Sequence, residues 1–418
     1  MPEESRLSHL RIIRFSPAPF PHRLVQRTVA ERRTVMRKRL IAAALALLAA
    51  LLPMLRPRAA APVLEVDAPA AILIEQSTGE ILYEKNAHEA MPPASVTKVM
   101  TLLLVMEALA DGRIGWDDTV TASENAAAKG GSQVYLEPGE QMSMDEMLKS
   151  VVVSSANDCA AALAEHVAGS EEAFVSMMNE RAAELGMNDT RFVNCTGLDD
   201  SPEASAHLTS CHDIALMSRA LLNHEEILQY TTIWMDSVRD GKFGLSNTNK
   251  LVRFYPGATG LKTGFTSSAG YCLSASASRD GVQFIAVVMH CETSDQRFSA
   301  AKALLDYGFA NYTLAYPTPQ EALPPVAVSL GKAAQVQPMV QRCEGILMEK
   351  AAASAVERIV SLPESVEAPV AAGQQLGTLT LKAGETVLAE IPLVAEAAVE
   401  RLTWYDAALR LLRKICFG

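Results

Sequence analysis

One short stretch of this chain sets a hydroxyl beside an amine at a spacing that can do chemistry. Ser95-Val96-Thr97-Lys98 puts serine and lysine at i and i+3, so on a helix the two side chains share a face and come within hydrogen-bond reach. A serine hydroxyl is a weak nucleophile until a neighbouring base takes its proton. Lysine serves as that base when burial and nearby positive charge depress its pKa. The start of a helix adds a field that favours a developing oxyanion. Alone, the motif specifies little, because Ser299-Ala300-Ala301-Lys302 and Ser329-Leu330-Gly331-Lys332 repeat it.

Order separates the three. Ser155-Ala156-Asn157 follows Ser95 by 60 positions, and Lys262-Thr263-Gly264 follows Ser155 by 107. A second Ser-x-Asn exists at Ser123-Glu124-Asn125, but Lys262-Thr263-Gly264 is the only Lys-(Ser/Thr)-Gly and precedes both rival Ser-x-x-Lys sequences. Only Ser95 begins an ordered triplet of Ser-x-x-Lys, Ser-x-Asn and Lys-Thr-Gly, the signature of serine enzymes that recognise penicillin.

With these residues the chain resembles the low-molecular-mass penicillin-binding proteins that act as D-Ala-D-Ala carboxypeptidases. The resemblance spans roughly residues 63–396 and includes Gly130-Gly131-Ser132-Gln133-Val134-Tyr135-Leu136-Glu137-Pro138-Gly139 and Gly260-Leu261-Lys262-Thr263-Gly264. It implies that Ser95 attacks the carbonyl between two terminal D-alanines and that Lys98 takes its proton. Ser155 is then the relay to the leaving amine, and Asn157 orients Lys98 and the substrate amide. Lys262 and Thr263 hold the substrate carboxylate, with Gly264 completing the motif. The backbone N–H groups of Ser95 and Phe265 form the oxyanion hole. Arg297 is similar to the family's carboxylate-binding arginine, whose planar guanidinium suits that anion; the competing reading is a surface charge at a helix start. Phe265 stands where some relatives carry a polar residue, which bears on substrate preference more than on activity.

The competing functions are a β-lactamase or D,D-endopeptidase of the same fold and a catalytically idle wall-binding protein. Glu124, Glu137 and Glu140 are candidates for a deacylating glutamate, but they lie in the segment that matches the carboxypeptidase pattern. His207, His212 and His290 fall in no metal-ligand spacing and read as structural residues. No cofactor or metal is expected. The implied partners are stem peptides ending in D-Ala-D-Ala, and β-lactams as inhibitors.

The elements that must position these residues are legible in outline. Ala70–Glu75 and 81–84 read as a β-hairpin across a glycine-containing turn. Pro92-Pro93 stops any upstream helix, so Ser95 opens a helix to Leu109 whose apolar face is Val99, Leu102, Leu103, Met106 and Leu109. Ser143 and Glu146 have capping-box spacing for a helix from about Met144. Asn157-Asp158 reads as the cap of the next helix, closed by Gly169, and a further helix spans 171–185. Three strands follow at 260–264, 270–278 and 282–290, then a closing helix at 299–307. This describes an α+β domain over 62–315 whose antiparallel sheet holds both ends of the unit against a helical block, the β-lactamase/transpeptidase-like fold of the resembled family. Prolines at 317, 319, 324 and 325 mark a linker, and 316–397 reads as a small all-β domain with strands at 326–330, 377–381 and 387–391.

The ends of the chain differ from its body. Residues 1–61 carry 12 Lys and Arg against 3 Asp and Glu, while the remainder carries 25 against 45. The acidic body excludes nucleic acid as a partner. Met36-Arg37-Lys38-Arg39, an apolar run over 40–55 broken by Pro53, and Ala59-Ala60-Ala61 describe an export signal with a candidate start at Met36; an uncleaved anchor is the alternative. At the other end, residues 398–418 hold a helix with Leu402, Tyr405, Leu409, Leu412 and Ile415 on one side and Arg410, Arg413 and Lys414 on the other. Such a helix suits the surface of an anionic membrane, outside the cytoplasm, better than docking on the body. Seven cysteines show no CxxC spacing, and Cys195 with Cys211 is the pair to examine for a disulfide.

Overall fold

The computed structural model describes residues 64–317, 319, 321–341, 345–353 and 355–417. The expected export signal, the extension before it and Cys343 lie outside the described residues.

A five-stranded antiparallel sheet forms the floor of the larger domain, in the order Ile81–Lys85, Ala70–Glu75, Val282–Cys291, Gly270–Arg279, Ala258–Thr266. The first hairpin thus closes on the third of the late strands, with Ala70 opposite Met289 and Glu75 opposite Phe284. Ala70–Glu75 is buried throughout, because sheet neighbours lie on either side and helices cover its faces. The hairpin and three late strands appear where the alternation and turn signals place them. The closing helix runs Ser294–Asn311, longer at both ends than expected, because Thr293 caps it by accepting from the Gln296 N–H.

The helical block packs against this sheet. Its centre is the helix Lys98–Ala110, which buries Lys98 through Met106 without a break, and Ala108 and Leu109 besides. A single apolar stripe was expected; instead the helix runs through the middle of the domain and is packed all round. Around it lie Met144–Val153, Asn157–Ala168, Glu171–Glu184 and Cys211–Leu222. Ser143 and Glu146 make the expected capping box. Residues 157–168 depart from expectation: neither Asn157 nor Asp158 caps the helix, whose N-cap is Ala156. Both side chains are drawn away to other partners, described below.

The C-terminal region is all-β. A three-stranded sheet (Gln335–Val336, Val326–Ser329, Ser365–Glu367) and a four-stranded sheet (Pro338–Val340, Thr386–Ala395, Gln375–Ala383, Val356–Ser361) each bury their own small cluster, around Val326 and Val370 and around Leu379 and Leu393. The final helix, Trp404–Phe417, starts on a reciprocal cap between Thr403 and Asp406. Arg410 reaches from it to the carbonyls of Gly331 and Lys332, while Trp404, Tyr405, Leu411, Leu412 and Ile415 stay exposed. No helix among the described residues is long and apolar enough to cross a membrane.

The suspected Cys195–Cys211 disulfide is absent. Both are buried free thiols, and the Cys195 thiol instead donates to the Glu171 carboxylate at 3.3 Å. Burial raises the pKa of each well above the ordinary thiol value.

Candidate active site

Ser95 sits in a 3-10 turn, Ala94–Thr97, that leads into the central helix at Lys98. The expectation of an α-helix from Ser95 is thus corrected by one turn. In a 3-10 turn positions i and i+3 eclipse, which aligns serine and lysine closely: Lys98 Nζ donates to Ser95 Oγ at 2.9 Å. The turn is tight enough that Ala94 takes φ +48, a conformation that costs an L-residue about 1 kcal/mol or more.

Lys98 has no contact with solvent. Its ammonium also donates to Asn157 Oδ1 at 2.5 Å and to the Thr196 carbonyl at 2.9 Å. Burial lowers its pKa from 10.5 to about 7, against the opposing pull of the Asp158 carboxylate. An amine tuned in this way exchanges its proton near neutral pH, as a general base must.

The Ser-x-Asn element is the turn between Met144–Val153 and Asn157–Ala168. Ser155 is buried there at φ +62. Asn157 spans the site: its Oδ1 accepts from Lys98, its Nδ2 donates to the Gly130 carbonyl at 2.7 Å, and its backbone N–H donates to Ser132 O. This use of its amide explains why it does not cap its helix. Asp158 accepts from the backbone N–H groups of Val134 and Leu136, each at 3.1 Å. From outside, Arg239 donates to Val134 O at 2.7 Å and pairs with Glu140 at 2.7 Å. The segment 130–140 is therefore fastened against the Ser-x-Asn turn by a buried carboxylate and an arginine. In the sequence Asp158 signalled a helix cap instead, and Arg239 carried no signal. Glu140, a candidate deacylating glutamate, is committed to Arg239. The rival Ser123-Glu124-Asn125 serves structure: Ser123 caps a short helix and Asn125 binds Glu165 and Glu171.

The opposite wall is the strand Ala258–Thr266. Gly264 passes so close to the turn that carries Ser95 that an added Cβ would lie 2.7 Å from Pro93 O and 3.0 Å from Ser95 N. Glycine is needed for that approach. Lys262 is buried, donates to Thr263 O, and is held well below its usual pKa by burial, with Lys98 and Arg297 adding to the effect. The Thr263 hydroxyl donates to Thr248 at 2.6 Å. Phe265 is 53% exposed and stacks on Tyr271, their centroids 4.3 Å apart.

Arg297 belongs to the first turn of the closing helix, not to the chain before it, and it is buried rather than a surface charge. It donates to Gly264 O at 2.9 Å and Cys272 O at 3.3 Å, between the rings of Tyr271 and Phe298. Its Nε is buried with no partner. A buried N–H without an acceptor costs about 1–3 kcal/mol. Ser95, Lys98, Asn157, Lys262 and Arg297 are thus linked through direct contacts, through Gly264, or through mutual charge.

Two family models match the chain: D-alanyl-D-alanine carboxypeptidase over residues 56–293, and the penicillin-binding protein 5 C-terminal domain over residues 321–401. The chain is 42% identical over 340 residues to D-alanyl-D-alanine carboxypeptidase DacF of Bacillus subtilis, covering 80% of this chain and 86% of that one. It is 32% identical to D-alanyl-D-alanine carboxypeptidase DacC of Escherichia coli, covering 80% and 85%. Among solved structures, penicillin binding protein 5 from Haemophilus influenzae aligns with TM-score 0.66 and 29% identity over 82% of this chain and 100% of that one. Penicillin-Binding Protein D2 from Listeria monocytogenes in its ampicillin-bound form aligns with TM-score 0.54 and 33% identity over 59% and 100%.

Proposed function

The chain belongs to the D-alanyl-D-alanine carboxypeptidase family, and from that premise we propose that it releases the terminal D-alanine of wall stem peptides through an acyl-enzyme on Ser95. Lys98, neutral near pH 7, takes the Ser95 proton as Oγ attacks the carbonyl between the two D-alanines. The oxyanion is received by the backbone N–H groups of Ser95 and Phe265. Ser155 gives its proton to the departing amine and takes in its place the one Lys98 holds, the C–N bond breaks, and free D-alanine leaves with Lys98 neutral again. Water then attacks the ester, Lys98 takes the water's proton, and the departing Ser95 oxygen receives it from Lys98. Asn157 fixes the lysine and the substrate amide, while Lys262, Thr263 and Arg297 take the terminal carboxylate. A β-lactam enters the same way but holds its leaving amine tethered, so the ester persists.

The observation that carries this reading is the 2.9 Å contact between Ser95 Oγ and a fully buried lysine whose pKa falls to about 7. The enzyme works outside the cytoplasmic membrane, held to its surface by the apolar side of the helix Trp404–Phe417 and basic residues such as Arg413. Incubation with a fluorescent penicillin, followed by mass spectrometry, tests the reading. An adduct on Ser95, lost in Ser95→Ala, together with D-alanine release from a pentapeptide, supports it. Labelling that persists in Ser95→Ala sinks it, and rapid nitrocefin turnover without D-alanine release would make the protein a β-lactamase.

A further inference from the structure

Behind the nucleophile turn lies a histidine that the mechanism above does not use. His207 is buried, just after the short 3-10 turn Pro202–Ala206, with Phe192 packed edge-on at 5.6 Å. The Val193 N–H donates to its Nδ1 at 3.2 Å. That bond makes Nδ1 an acceptor and leaves the ring proton on Nε2, which donates to Thr97 Oγ1 at 2.8 Å. Thr97 in turn donates its own proton to the Ala94 carbonyl at 2.8 Å. The chain of bonds therefore ends on the residue before Ser95, the one held at φ +48.

The same histidine grips the loop that serves Lys98. Val193 begins the run 193–197, whose Thr196 carbonyl accepts from Lys98 Nζ. Gly197 in that run lies against the nucleophile turn: an added Cβ would come 1.8 Å from Ala94 O and 2.7 Å from Thr97 Oγ1. Asn194 holds the loop's own shape, its Oδ1 accepting from the N–H groups of Thr196 and Gly197. One ring thus bonds a side chain of the turn that carries Ser95 and the backbone at the start of the loop that carries the Thr196 carbonyl.

We propose that His207 is a positioning residue for the Ser95–Lys98 pair, acting through Thr97 on the turn that carries Ser95, with the Val193 N–H fixing the tautomer that lets Nε2 donate. The inference rests on the reading of Ser95 as the nucleophile. His207 transfers no proton in the reaction. Burial drives its pKa down to about 4, so it stays neutral with a fixed tautomer throughout the range in which Lys98 titrates.

The test uses the side-chain amides as half-copies of the ring. An asparagine nitrogen or oxygen falls near the Nδ1 position, and a glutamine one near Nε2. On the full chain, acylation by a fluorescent penicillin is followed by stopped flow, separating the dissociation constant of the first complex from the acylation rate constant. His207→Asn and Thr97→Val are expected each to slow acylation about 10-fold, the worth of one buried hydrogen bond. The dissociation constant should stay within about twofold, since substrate contacts are untouched. His207→Gln and Thr97→Ser, which keep the link, should react within about threefold of the parent. His207→Asn combined with Thr97→Val should be no slower than Thr97→Val alone, because that variant already breaks the His207 link together with the bond to Ala94 O. The inference is overturned if Asn and Gln variants react alike, if the losses follow melting temperature instead of the Thr97 link, or if the two losses multiply. Should the His207 variants not fold, Thr97→Ser against Thr97→Val decides by the same criterion. An adduct on Ser95 of the parent separates the outcomes. Without it the proposed function fails, and with it only the positioning role is at stake.

Discussion

Lys98→Met should make the protein more stable relative to the parent at pH 7 than at pH 10, and the size of the change follows from the lysine's titration. In the unfolded chain the amine keeps a pKa of 10.5, while in the fold burial holds it at about 7. Between those values the unfolded state binds a proton that the folded state does not, so stability rises with pH across that window. The folded pKa is depressed for a base; the penalty is therefore fully present below pH 7 and is lost as the pH climbs towards 10.5. A shift of about 3.5 units corresponds to about 5 kcal/mol at 1.36 kcal/mol per unit. At pH 7 about 4 kcal/mol of that remains and at pH 10 about 1 kcal/mol, so the two pH values differ by about 3 kcal/mol. Methionine has similar length and no charge, but it leaves Asn157 Oδ1 and Thr196 O without their donor. That loss is the same at both pH values and cancels in the comparison. Urea unfolding of both proteins at pH 7, 8.5 and 10 reads the effect as the change in the stability difference. Parallel pH profiles would refute the buried, near-neutral lysine on which the mechanism depends.

Other outcomes follow from the same geometry. Acylation of the parent by penicillin should fall about tenfold per pH unit below pH 7 and level off above it, because only neutral Lys98 accepts the Ser95 proton; a profile flat from pH 5 to 8 would remove lysine from the role of base. Gly264→Ala should slow acylation about 100-fold, since its Cβ must push Pro93 and Ser95 apart from the strand and an ångström at the reacting centre costs that much. Retention of more than half the rate, measured with the same penicillin, would show that the approach is not needed. A chain ending at Thr403 should keep its acylation rate yet no longer sediment with vesicles containing anionic lipid, whereas the full chain should; equal sedimentation of the two would refute the membrane role of the final helix.

The family of this protein was legible in the order of its motifs. Only Ser95 begins Ser-x-x-Lys, Ser-x-Asn and Lys-Thr-Gly in that order, and local signals placed them at a helix start, a helix junction and a strand, the first of which is a 3-10 turn in the structure. Those are properties of neighbouring residues: a proline pair, a capping box, alternation between turns. The α+β architecture followed from the same signals, and the family matches agree with it. What the sequence could not supply depends on residues distant in the chain meeting in space. Burial on all sides of Lys98–Ala110 is decided by what packs around it, and only that burial brings a lysine to about pH 7. Asn157 and Asp158 carry ordinary capping chemistry, yet tertiary contacts with Lys98, Gly130 and Val134 take their side chains instead. His207 lies 110 residues from Thr97 and looked structural because no spacing marks a histidine that acts through a hydroxyl. Sequence named the groups that the proposed site contains, since bond-making needs particular atoms; packing sets their charge and distance, since both depend on what surrounds them.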